Sequence, residues 1–108
     1  MDQNITAELV NGLVKILNNQ LVSIILYGSV VRGTNTDESD IDIALIVDGT
    51  FNDEQEDSLS DFIVDMNLKY DKVFSVIDID HELFSKWIQA VPFYRNVDQE
   101  GIVLWTAA

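Results

Sequence analysis

Two short runs constrain this chain more than anything else in it. Residues 21–27 (LVSIILY) and 40–47 (DIDIALIV) are nearly continuous apolar stretches of strand length. A strand that is apolar at successive positions, not at alternate ones, suits burial on both faces, which is the reading for 21–27, and 40–47 is read as the second strand. Packing partners are available: apolar residues Leu9, Val10, Leu13, Val14, Ile16 and Leu17 recur at three-and-four spacing in 6–19, and Leu59, Phe62, Ile63, Met66 and Leu68 do so in 53–70. Both segments read as amphipathic helices, with Thr6 as the expected cap of the first and the acidic start of the second suiting its dipole.

Further along, residues 72–79 (KVFSVIDI) are rich in β-branched and aromatic side chains and predict a third strand. A short helix over 81–89 follows. Pro92 then opens a new helical stretch through PFYRNVDQ, Gly101 closes it, and 102–105 (IVLW) predicts an edge strand. The expected fold class is therefore α/β (α+β), a small mixed sheet flanked by helices, in one domain spanning 1–108. A length of 108 residues suits that and leaves no room for a second, substrate-binding domain.

Charge narrows the function. The net charge is −13 with only 6 Lys and Arg, which argues against direct binding of nucleic acid, since phosphate backbones are held by basic side chains. The same charge suits a basic protein partner, or simply a solubilising surface, and any polyphosphate approaching it needs metal ions. Cysteine is absent, which excludes disulfides, thiolate zinc sites and cysteine nucleophiles. The first residues lack a signal-peptide pattern and no apolar run reaches membrane-spanning length, so a soluble, cytoplasmic protein is expected.

The chemistry concentrates between the two apolar runs. Asp40 and Asp42 stand two apart on a strand, which places both carboxylates on one face. Adjacent anions repel, so either one is protonated or a cation lies between them, and hard oxygen ligands suit Mg²⁺. Ahead of them, Gly28 to Gly33 (GSVVRG) turns the chain straight out of a buried strand, and 34–39 (TNTDES) is a polar loop. Gly28 lets backbone approach a ligand, while free N–H groups at the turn and the Ser29 hydroxyl form an anion site for phosphates. Arg32 lies about one helical turn beyond Ser29, where it faces the triphosphate or braces the loop against Asp37 or Asp40. Gly33 is expected to end the short helix in a left-handed cap, and Ser39 to cap or orient the strand entrance.

Taken together, Gly28-Ser29-Val30-Val31-Arg32-Gly33, a six-residue loop and Ser39-Asp40-Ile41-Asp42 resemble the DNA polymerase β-type nucleotidyltransferases, and most closely the minimal (MNT) group. The likeness is strong over 27–47 and rests on element order elsewhere. It implies the nucleotidyltransferase fold, with Asp40 and Asp42 as metal ligands and Gly28, Ser29 and Arg32 at the phosphates of ATP or another NTP. It also implies a HEPN-type helical partner in a toxin–antitoxin pair, as a hetero-oligomer or through a homodimer, with a HEPN tyrosine as acceptor of AMP. Such relatives often carry a third carboxylate on the next strand. Asp78 is favoured for it here, with Asp80 as the other acidic candidate. Counting back from the following helix instead brings Ser75 to that position, in which case the third ligand is missing.

Bland readings stand beside these. Asp80 also fits as the N-cap of the helix at His81, Asp78 as a strand end, and His81 as a surface residue. Trp87, Phe93, Tyr94 and Trp105 read as packing against core or partner, with adenine stacking as the alternative. The function expected is Mg²⁺-dependent transfer of a nucleoside monophosphate to a hydroxyl. The rival is a binding module that neutralises its partner by contact, and antibiotic adenylylation is disfavoured for want of an acceptor domain.

Overall fold

The computed structural model describes residues 1–33 and 40–107. Helix α1 (Gln3–Leu17) leads through a single 3₁₀ turn into β1 (Leu21–Tyr27), followed by a short α2 (Ser29–Arg32) and β2 (Ile41–Val47). Helix α3 (Asp53–Tyr70), β3 (Phe74–Asp80), α4 (His81–Trp87), α5 (Pro92–Glu100) and β4 (Ile102–Thr106) complete the order. The four strands form one mixed sheet in the order β3-β2-β1-β4, with β2 and β3 parallel and the other two pairings antiparallel. The expected loop over 34–39, the role of Ser39 and the pairing of Arg32 with Asp37 lie outside the described residues.

The two apolar runs are the central strands, and each face of the sheet has its own core. On one face Ile24, Leu26, Ile43, Leu45 and Val47 meet Ile5, Leu9, Leu13 and Leu17 of α1 and Met66 of α3. On the other, Ile25, Ala44, Ile46 and Ile79 meet Phe84 of α4 and Val97 of α5. The α1 residues recur every fourth position, which keeps one stripe on the sheet.

Three local expectations are corrected. Asp2, not Thr6, caps α1, its carboxylate accepting from the Asn4 N–H at 2.7 Å, so the helix starts a turn earlier. Leu68 is exposed: it lies nine positions after Leu59, about 180° around the helix, and Tyr70 takes the inward place instead. Residues 72 and 73 precede β3, which starts at Phe74 and runs to Asp80. Helix α3 matches its expected span, because Asn52 and Gln55 form a reciprocal capping box and Asp53, Glu54 and Glu56 sit in the first turn.

Candidate active site

At the end of β1 the chain turns sharply at Gly28, whose φ of 82° and ψ of −153° are open only to glycine. A second constraint acts there: a Cβ at this position would collide with the Asp42 carboxylate. Turn backbone and acid are thus in contact, as the register requires, since Tyr27 at the end of β1 pairs with Asp42 on β2. Gly28 caps α2, and Gly33 ends it in the left-handed region with φ of 73°, as expected. The N–H of Arg32 is bonded to the Gly28 carbonyl at 3.1 Å, whereas those of Ser29, Val30 and Val31 precede the first intrahelical donor.

Asp42 is half-buried and Asp40, at the entrance to β2, is exposed. The Asp42 carboxyl is held above its ordinary pKa, first by burial and then by the charge of Asp40, with Arg32 pulling the other way. A bound cation would relieve both upward pressures, so this donor set fits a hard divalent metal. Burial, and then the Asp42 charge, push the Tyr27 phenol up as well. Among the described residues no group of three acidic, histidine or cysteine side chains converges, so the site offers two carboxylates. That is a usual number for Mg²⁺, which completes its shell with substrate phosphates and water.

The favoured third ligand, Asp78, is not part of this set. In the parallel register Ser75 stands beside Asp42, and Asp78 stands beside Leu45, whose side chain enters the core on the opposite face. Residues of one strand alternate between faces, so Asp78 points away from Asp40 and Asp42. It lines a groove of about 300 Å³ against Glu56, Ser60 and Val64 of α3. Asp80 shares that face and is engaged structurally, accepting from the Leu83 N–H at 3.2 Å as the cap of α4 and from the Gly49 N–H at 3.3 Å. Ser75 occupies the position that the strand count from α4 had offered as the alternative.

Among the described residues Arg32 forms its ion pair with Glu100 and not with Asp40. Its Nη1 is 3.6 Å from Glu100 Oε2 at the end of α5. Together with Tyr27, Gly28 and Asp42 it forms one wall of a cleft of about 220 Å³, whose other wall is Phe93, Asn96, Val97 and Glu100 of α5. These four were not singled out as one surface from the sequence, although their spacing of three, four and seven marks a single helix stripe. Tyr27 was missed because it ends an apolar strand and reads as core. His81 lies at the surface, 3.7 Å from Asp48, as expected.

The model of the polymerase β nucleotidyltransferase domain matches residues 11–107. The chain belongs to that family. It is an enzyme of the nucleotidyltransferase class. A relative from Methanocaldococcus jannaschii, named as a protein adenylyltransferase, is 41% identical over 98 residues, covering 91% of this chain and 92% of its own. A solved toxin–antitoxin complex with AMP-PNP contains a chain that superimposes with a TM-score of 0.62 at 20% identity, covering 94% of this chain and 73% of that one. A tri-AMPylated Shewanella oneidensis HEPN toxin in complex with its MNT antitoxin gives 0.61 at 19% identity, with 99% and 74% covered. At such identities the structures establish the fold of this family member, a mixed sheet flanked by helices. No helix among the described residues is long and apolar enough to cross a membrane.

Proposed function

We propose that residues 1–108 act in the cytoplasm as one nucleotidyltransferase domain that moves AMP from ATP, with Mg²⁺, onto a tyrosine of a HEPN-type toxin and so silences it. The observation that carries this is the close approach of the Gly28 turn to the Asp42 carboxylate beside Asp40, which brings the first N–H groups of α2 and a pair of hard ligands together. In the reaction the tyrosine oxygen bonds to the α-phosphorus as its proton passes to solvent water, the bond from that phosphorus to the bridging oxygen breaks, and pyrophosphate leaves. Asp40 and Asp42 would hold the metal, which when bound neutralises charge on the triphosphate and lowers the pKa of a coordinated hydroxyl. Backbone N–H groups after Gly28 and the Ser29 hydroxyl donate to phosphate oxygens, and Arg32 exchanges Glu100 for one of them. The names of the adenylyltransferase relative and of the AMPylated toxin complex support the choice of AMP and of the partner.

A second reading draws on a specific feature. With Ser75 beside Asp42, no third carboxylate on β3 is available to take the acceptor's proton. This favours a domain that binds nucleotide but neutralises its partner by contact alone. The two readings separate when purified protein, Mg²⁺, α-labelled ATP and the product of the adjacent gene are incubated, with Asp42→Ala in parallel. Transfer of label to the partner by the native protein only supports the enzyme; equal neutralisation by both proteins without transfer supports the contact module.

A further inference from the structure

The cleft beside Asp42 has a second wall that the phosphate chemistry leaves unused. Helix α5 presents Phe93, Asn96 and Glu100 to it on one stripe, and the far end of that stripe is already tied to Arg32. From Phe93 to Glu100 the helix advances seven residues, about 10 Å at 1.5 Å per residue. A ligand whose phosphates lie by Gly28 and Arg32 therefore reaches Phe93 with its other end.

Phe93 is the aromatic residue that α5 places in the lining of the cleft. Tyr27 stands at nearly a right angle to it, with centroids 5.6 Å apart and planes at 80°, and Tyr94 supports it at 6.1 Å. The ring is thus braced from the protein side, yet 42% of the residue remains exposed, at the mouth of a cleft and next to charged groups. A ring fixed by its neighbours but open at the mouth of a cleft leaves a flat apolar face on which a planar ligand group can pack. Three residues on, Asn96 offers a donor and an acceptor from the same wall. A cleft of about 220 Å³ is smaller than the roughly 300 Å³ at which enclosed drug-sized sites begin, so it takes part of a nucleotide and leaves the rest at the surface.

Resting on the reading that the site binds a nucleoside triphosphate, we infer that the exposed Phe93 ring is the platform on which the nucleobase stacks, with the Asn96 amide hydrogen-bonding the base edge. Phe93 positions the nucleotide and takes no part in the chemistry. Stacking tolerates every base, since each has a π-face, and the Asn96 amide is the group that discriminates among edges.

Calorimetry with Mg²⁺ and two probes, ATP and inorganic tripolyphosphate, tests this on the native chain, Phe93→Ala and Asn96→Ala. Stacking predicts that native protein binds ATP about 5- to 150-fold more tightly than tripolyphosphate. Phe93→Ala erases that advantage and leaves tripolyphosphate binding unchanged, which also shows that the variant is folded. Asn96→Ala narrows the preference for ATP over UTP. Equal binding of the two probes by native protein, or an ATP advantage that survives Phe93→Ala, overturns the base platform while leaving the triphosphate site standing. Failure of native protein to bind either probe overturns the triphosphate site itself, and the platform with it.

Discussion

The two faces of the sheet are built from the same strands but spend their side chains differently. Toward α1 and α3 the strands send Ile24, Leu26, Ile43, Leu45 and Val47, all buried, against a long stripe of leucines. Toward α4 and α5 the same strands begin as a core with Ile25, Ala44 and Ile46, then give way at the β2 entrance to Tyr27, Asp42 and a cleft. One face is covered by helices of 15 and 18 residues, the other by helices of 7 and 9. Labour is divided between them: the first face is buried along its length, and the second holds a carboxylate above its ordinary pKa through its own burial and the Asp40 charge.

Leu45→Ala strikes the covered face, where the side chain is fully buried, and is expected to lower unfolding free energy by about 2–5 kcal/mol in urea titrations. Mg²⁺-ATP affinity of the remaining folded protein should be unchanged. Asp42→Ala strikes the open face and is expected to reduce AMP transfer by more than about 100-fold, beyond the loss usual for groups that merely orient a ligand. Its stability behaves in the opposite sense. Because the folded-state pKa is raised, the folded chain holds this proton longer than the unfolded one, so metal-free stability declines as pH rises from the ordinary aspartate value through the raised one. Unfolding free energies measured across that window should show this decline in the native protein and not in Asp42→Asn.

Smaller effects sharpen the contrast along β3, whose acids share a strand with Ser75 but not its face. Asp80→Ala removes the cap of α4 and should cost about 1 kcal/mol in thermal unfolding with no loss of transfer. Asp78→Ala, at an exposed strand position, should change stability by less than about 0.5 kcal/mol and leave Mg²⁺-ATP binding as it was. A large loss of nucleotide binding in Asp78→Ala would contradict the assignment of faces.

Much of the fold was legible because its signals are local. Successive apolar residues in 21–27 announced a strand covered twice, 40–47 read as the second strand, the apolar spacing and acidic start of 53–70 announced α3, and Gly33 marked its helix end. The site was legible where it too is local, in the Gly28-Ser29 turn and the spacing of Asp40 and Asp42. It failed where register decides. Alternation already placed Asp78 and Ser75 on opposite faces, but which face joins Asp42 depends on how β3 slides against β2, and no single residue encodes that. The pairing of Arg32 with Glu100, 68 residues away, and the α5 wall likewise depend on tertiary packing.

The proposed function requires that the Gly28 turn and the paired acids Asp40 and Asp42 hold a nucleoside triphosphate through a divalent metal. Titrating ATP into the native protein with Mg²⁺, with EDTA in place of Mg²⁺, and into Asp42→Asn with Mg²⁺ tests it most directly. Saturable heat in the first titration alone is the predicted result. Equal binding with EDTA, undiminished binding by Asp42→Asn, or no binding in any titration would contradict it.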